Sequence, residues 1–178
     1  MPNLKRIISG HNAKVVNSSR ANNAAEPGCN CEVPENCPLR GQCQQRAVIY
    51  RATITTDDVS ERRVYVGATN NTFKMRYYGH ASDLRVNKSV DGKKGGTEMS
   101  RYVWLLKDRG KEPDIRWEII RRCQPYRSGK RVCDVCNTEK LEIMKHMGPG
   151  CVNLRSELNN KCPHGRSVKL QKASNQRR

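Results

Sequence analysis

The stretch VYVGATNNTFKMRYYGH, residues 64 to 80, gathers three tyrosines, an arginine and a histidine into seventeen positions. Tyr50 ends the VIY of an upstream run, AVIYRATI, and Tyr65 lies in RRVYVGAT; both runs are rich in β-branched and aromatic residues and read as the arms of a hairpin. Antiparallel pairing would bring the two phenols to one sheet face. Arg76 and His80 stand four residues apart, on one side of a predicted helix and offset from its apolar stripe. Hydrolysis of a phosphodiester needs a base to activate water, a cation for the extra negative charge on the pentavalent phosphate, and usually a metal that helps the alkoxide leave. A phenol, a guanidinium and a carboxylate meet those needs. Glu139 is the carboxylate of choice, near the start of a third predicted helix, where the helix dipole favours an acid able to coordinate Mg²⁺ while the ion retains water. Taken singly, each of these residues is ordinary: a phenol packs well in a strand, and a first-turn glutamate is usually solvated. Their joint order and spacing carry the reading.

Nine cysteines form the second chemical feature. Cys133 and Cys136 make a CxxC just ahead of Glu139, and CPH supplies Cys162 and His164 further on; these four match a tetrahedral Cys₃His zinc site. Such a site would tie the helix of Glu139 to the chain that follows it. In CNCEVPENCPLRGQC, Cys29, Cys31, Cys37 and Cys43 could make a second, Cys₄ site in a small knuckle whose folding energy comes from metal, serving as a DNA-reading or hinge module. Cys123 and Cys151 are left over and are expected as small buried apolar residues. An odd cysteine count, metal-like spacing and no export signal favour zinc thiolates in a reducing, intracellular compartment over disulfides.

Lys and Arg number 34 against 17 Asp and Glu, a formal net charge of +17. That balance favours a polyanionic partner, held by phosphate neutralisation and counterion release, and nucleic acid is the leading one. No apolar run approaches the ~18 residues of a membrane span, so a soluble protein with no membrane partner is expected.

The elements that must position these groups are legible in outline. Strands are expected over 47–54 and 62–69, joined by the polar TTDDVSE. A helix from Asn71 or Thr72 to about Val86 places Phe73, Tyr77, Ala81 and Leu84 on one face. A Gly/Lys loop, 87–96, leads to a second helix capped by Thr97 and closed by Gly110, with Tyr102, Val103, Trp104, Leu105 and Leu106 as its apolar mass. Alternation of Ile115, Trp117 and Ile119 predicts a third strand over 114–120. A third helix, about Thr138 to Met147, carries Leu141 and Met144 or Ile143 inward before Gly148-Pro149-Gly150 stops it.

In this order, VIY, YVG, Arg76, His80, Glu139 in CNTEKLEIM and Asn153 in CVNLRSEL, the sequence resembles the GIY-YIG nuclease family. Val48 in place of the first glycine and Val66 in place of the central isoleucine are its departures. Over nearly the whole chain it is similar to the C-terminal endonuclease region of Penelope-like retroelements, through CNCEVPENCPLRGQC, FKMRYYGH, TEMSRYVWLLKDRG, IRWEII, CDVCNTEKLEI and VNLRSELNNKCPHG. The resemblance implies an α+β fold: a small three-stranded antiparallel sheet flanked by helices, with appended zinc-binding segments. Its division would be a linker from an upstream region at 1–28, a zinc knuckle at 29–46, the nuclease domain at 47–165 and a disordered basic tail at 166–178. It implies Mg²⁺- or Mn²⁺-dependent nicking of one DNA strand in the nucleus, leaving a 3′ hydroxyl to prime reverse transcription. The partners would be DNA, an upstream reverse transcriptase domain of the same polyprotein and its template RNA. Nothing in 178 residues is long enough to be that reverse transcriptase, which implies an excised domain or a degenerate copy. By the same resemblance Tyr50 or Tyr65 acts as, or helps position, the general base, Arg76 stabilises the scissile phosphate, and His80 assists at the phosphate or in proton transfer. Glu139 holds the metal, and Asn153 fixes the site through hydrogen bonds. Tyr77 is then expected in the core and Tyr78 on the DNA side. The rival readings are a zinc-containing binding module on an inactive nuclease fold, and a structure-selective repair or recombination nuclease.

Overall fold

The computed structural model describes residues 28–87, 96–127 and 132–164. The linker expected at 1–28, except its last residue, most of the 87–96 loop and the tail at 166–178 lie outside the described residues. The architecture is α+β, with a three-stranded antiparallel sheet and, among the described residues, three α-helices. β1 (Arg46–Thr55) is central, flanked by β2 (Arg63–Thr72) and β3 (Asp114–Arg122). Its β-branched residues pack on both faces, which is why nearly the whole strand is buried.

Register decides what shares a face. Tyr50 sits opposite Gly67 on one side and Ile119 on the other, while Ala52 sits opposite Tyr65 and Trp117. Both phenols therefore stand on one face, as the hairpin reading requires. On that face α1 (Phe73–Arg85) and α2 (Glu98–Asp108) cover β1: Phe73, Met99, Val103 and Leu106 bury against Val48, Tyr50, Ala52 and Ile54. Ile115, Trp117, Ile119, Tyr77 and Leu84 close the margins of this cluster. On the opposite face α3 (Asp134–His146) packs Val135, Cys136 and Ile143 on Ala47, Ile49 and Val66.

β2 runs straight into α1. Thr72, the last residue of β2, is also the N-cap of α1, its hydroxyl accepting from the Met75 N–H at 3.4 Å. The next orphan donors are met from the first cysteine segment: Phe73 N–H donates to Gln45 O at 2.9 Å and Lys74 N–H to Cys43 O at 2.8 Å. Leu39 of that segment lies in the same core cluster as Tyr50 and Phe73. The knuckle is thus docked on the start of α1 rather than hanging from a hinge.

Three expectations are corrected. α3 begins at Asp134, four residues before Thr138, because Cys133 is its N-cap and the CxxC forms its first turn; Glu139 is consequently a second-turn residue. The buried face of α3 is Val135, Cys136, Glu142 and Ile143, and Leu141 and Met144 are exposed, since the earlier start and the thiol cluster fix the helix's rotation. In α2, Leu105 is exposed and Met99 is buried in its place.

The sheet's tightest internal contact is between Tyr50 and Gly67. A Cβ at residue 67 would lie 2.5 Å from the Tyr50 hydroxyl oxygen, 2.6 Å from Cζ and 3.0 Å from Cε2, so the ring lies across the strand where no side chain intervenes. Gly67→Ala should cost about 1–3 kcal/mol by overpacking. In a Tyr50→Ala background that cost should vanish. Urea unfolding of the four proteins checks this; an equal cost in both backgrounds would contradict it.

Candidate active site

β2 is an edge strand, and its outward-facing backbone groups recur every second residue. They meet three different partners in succession. At Val64, the N–H donates to Gly150 O at 2.7 Å and the carbonyl accepts from Val152 N–H at 2.9 Å, a short parallel bridge. At Val66 the side chain of Asn153 replaces a strand: its Oδ1 accepts the Val66 N–H at 2.7 Å and its Nδ2 donates to Val66 O at 2.8 Å. The Glu139 carboxyl lies beside Ala68, whose N–H helps to hold its negative charge. Asn153 thus pairs with the strand edge, and Glu139 stands next to the following outward-facing residue.

Asn153 is itself held. Its Nδ2 also donates to Glu157 Oε2 at 3.0 Å, and Glu157 Oε1 accepts the Leu154 N–H at 2.9 Å. Sequence reasoning missed Glu157. The available signal was its spacing of four from Asn153, which one turn of 3₁₀ helix, Arg155–Asn159, folds back. Glu157 and Glu139 line one recess with Cys136, Ile143, Asn160 and Cys162.

On the helical side of the edge, Arg76 Nε donates to the Tyr50 hydroxyl at 2.9 Å, and His80 Nε2 lies 2.7 Å from the same oxygen. The Arg76 charge is favoured by Tyr50 first and by Tyr65 second, so it stands in the field of both phenols. His80 meets Tyr50 and Tyr65 edge-on, with ring centroids 5.7 and 5.9 Å away, and lies beside Trp117 at 5.2 Å. Tyr50, Tyr65, Arg76 and His80 do converge. His80 was expected off the core stripe, but it is only 1% exposed, and the Tyr50 side chain it meets is fully buried as well. Its Nδ1 is buried without a partner. With Arg76 donating to the phenol oxygen, a neutral Tyr50 directs its O–H to Nε2, and a phenolate would instead receive a hydrogen from Nε2.

The electrostatics follow from burial. Desolvation pushes the Tyr50 phenol up to about 12 although Arg76 pulls it down, and raises Tyr65 well above the ordinary range, with Tyr50's charge adding to the effect. Burial also works against the Arg76 charge, but the two phenol oxygens hold it above its usual value. The Glu139 carboxyl is raised, first by burial and then by the like charge of Glu157, against the pull of Arg76 and the Ala68 N–H. Two carboxylates in one recess, one of them destabilised by the other, suit a hard divalent cation with oxygen ligands.

Two further clusters could hold metal. Cys133, Cys136, Cys162 and His164 bring their ligand atoms within 4.8 Å of one another, as do Cys29, Cys31, Cys37 and Cys43. Zinc with ligand bonds of about 2.3 Å in tetrahedral geometry places its sulfurs about 3.8 Å apart. The observed separations are 3.8 Å for Cys31–Cys43, 3.6 Å for Cys29–Cys43 and 3.4 Å for Cys136–Cys162, with His164 Nδ1 at 3.3 to 3.7 Å from its three thiols. All nine cysteines are free. Backbone is spent on the first knuckle: Arg40 adopts φ 48° beside Gly41 at φ 94°, which turns the Gly41 N–H onto Cys37 Sγ at 3.2 Å. The second cluster is braced by Tyr126, whose ring stacks on His164 at 5.7 Å and whose N–H donates to Asn70 Oδ1 at 3.2 Å. Cys123 and Cys151 join neither cluster and are half-buried.

Comparison of the chain with protein-family profiles, curated proteins and solved structures finds no match.

His80 supplies a pH test of the buried site. Burial first, and Arg76 second, hold it down to about 3 against an ordinary 6.5. The unfolded chain therefore takes up the proton first, and the stability that His80 contributes is present above pH 6.5 and lost as the pH falls towards 3. The stability difference between wild type and His80→Gln should be flat above pH 6.5, then change by about 1.4 kcal/mol per unit below it. Chemical denaturation across pH 8 to 4 measures this, and the carboxylates common to both proteins cancel. A pH-independent difference would contradict it.

Proposed function

We propose that this protein is a metal-dependent DNA endonuclease of the GIY-YIG type, from a Penelope-like retroelement, which nicks one strand to leave a 3′ hydroxyl for target-primed reverse transcription. The observation that carries the reading is the convergence of Tyr50, Arg76 and His80 on one oxygen, with Glu139 on the adjoining strand edge at Ala68. The net charge of +17 supports a nucleic-acid partner.

In this reading Tyr50 acts in its phenolate form, held by hydrogens from Arg76 Nε and His80 Nε2, and takes a proton from the attacking water to become the neutral phenol. Arg76, which already donates to that oxygen, offsets the negative charge gathering on the phosphate. His80, neutral and enclosed, is a positioning residue: it holds the phenol in line and does not reach the phosphate itself. Tyr65 packs behind it and shares Arg76. Water attacks phosphorus, the bond to the 3′ oxygen breaks, and the products are a 3′ hydroxyl and a 5′ phosphate. Glu139, with Glu157 in the same recess, would hold Mg²⁺ or Mn²⁺, which when bound supplies Lewis-acid stabilisation to the phosphate and leaving oxygen. Asn153 keeps β2, and with it Gly67 and the Tyr50 ring, in register. Zinc in the two thiol clusters would be structural, one binding the helix of Glu139 to the Asn153–Glu157 segment, the other seating the start of α1. The upstream reverse transcriptase domain, its template RNA and nuclear action belong to the same proposal.

The test is nicking of supercoiled plasmid with Mg²⁺ or Mn²⁺ by wild type, Tyr50→Phe and Glu139→Ala, each checked for folding and zinc content. Wild type should produce open circles, and both variants should bind DNA yet nick at least 100-fold more slowly, a general base alone being worth about 10²–10⁴. Binding by all three with no nicking under either metal would favour the inactive binding module.

A further inference from the structure

Gly79 lies in the interior of α1, exposed, and a Cβ built there meets nothing within 4 Å. Glycine at an exposed interior helix position is less favourable than alanine, and no contact among the described residues calls for it. The contrast with other glycines is direct: Gly67 must admit the Tyr50 ring, and Gly41, Gly96 and Gly110 adopt φ of 94°, 85° and 73°.

The surroundings of Gly79 supply the reason. One turn before it on the helix lie Met75 and Arg76, the latter reaching inward to Tyr50. Met75 is 61% exposed and Tyr78 58% exposed, two large side chains with no cover. The Lys74 ammonium stands 5.8 Å from the centre of the Tyr78 ring. Lys74 and Arg76 occupy this half of the helix, and the one carboxylate of α1, Asp83, lies a turn further on. An exposed phenol beside Lys74, whose ammonium also donates to Asn30 O and Oδ1 at 2.9 Å, suits a sugar–phosphate backbone, since the hydroxyl can donate to phosphate oxygens and the ammonium adds positive charge there.

We infer that the outer flank of α1, formed by Lys74, Met75, Tyr78 and Gly79, seats a DNA strand on its way to Tyr50 and Arg76, and that residue 79 lacks a side chain so that the sugar–phosphate backbone can approach the helix closely. This rests on the nuclease reading and adds to it the surface along which the substrate lies.

The consequence is a substitution with opposite effects on folding and binding. Gly79→Ala should raise the melting temperature by about 2–4 °C, and Gly79→Leu, another strong helix former facing open space, should also be more stable than wild type. Against a fluorescent 30-base-pair DNA duplex at fixed salt, Gly79→Leu should bind at least tenfold more weakly, and Tyr78→Ala severalfold more weakly through loss of its contact with the sugar–phosphate backbone. The same Gly79→Leu protein should nick plasmid correspondingly more slowly at subsaturating DNA. A Gly79→Leu protein that is stabilised and binds and nicks like wild type would overturn the docking surface while leaving the nuclease reading intact. Wild type that does not bind the duplex at all would overturn both.

Discussion

An unpaired strand edge is the constraint on which this molecule turns. β2 has β1 on one side and, among the described residues, no fourth strand on the other, and such an edge left bare invites pairing with another chain. Here its outward groups at Val64 and Val66 are met by the Gly150–Val152 backbone and by the amide of Asn153, and the carboxylate of Glu139 stands beside the next, Ala68. The edge therefore acts as a ruler. Rungs two residues apart set where Asn153 and Glu139 stand, and the intervening Gly67 opens the gap through which the Tyr50 ring reaches the same edge. Because β2 passes into α1 at Thr72 without a loop, the positions of Arg76 and His80 follow from the same strand.

The two thiol clusters attach to this frame at its two loose ends. The first delivers the carbonyls of Cys43 and Gln45 to the opening amides of α1 and sinks Leu39 into the core. The second joins the first turn of α3 to the chain beyond Glu157, on the other sheet face. Each cluster has only a few buried apolar residues beside its thiols, and metal ligation could fix it. Burial then sets most of the electrostatics: it raises the phenols and holds the histidine neutral, while the phenol oxygens keep the Arg76 guanidinium charged against it.

Much of this was legible in the chain because it is local. Alternating β-branched runs marked β1 and β2, the spacing of Phe73, Tyr77 and Leu84 marked the inner face of α1, and the cap at Thr72 was readable from residue type. The Cys₃His set was legible from spacing, and its four ligand atoms do meet. What was not legible depended on tertiary placement. His80 looks like a residue on the polar flank of a helix, and only the position of Trp117 on β3 encloses it. Glu157 becomes important only once Asn153 is turned towards β2. The rotation of α3 was misjudged because Leu141 and Met144 look like better core residues than Glu142, whereas the thiol cluster at Cys136 turns the helix and Arg121 of β3 pairs with the buried Glu142.

The strand-edge account is tested most directly by amide hydrogen exchange, read residue by residue with NMR, in wild type, Asn153→Ala and Glu139→Ala. The account predicts that Val66 and Ala68 are both protected in the wild-type protein despite lying on an outer strand. Asn153→Ala should release Val66 most strongly, and Glu139→Ala should release Ala68 while leaving Val66 slow. Wild-type exchange at both amides as fast as at an open edge, or no selective release in either variant, would contradict it.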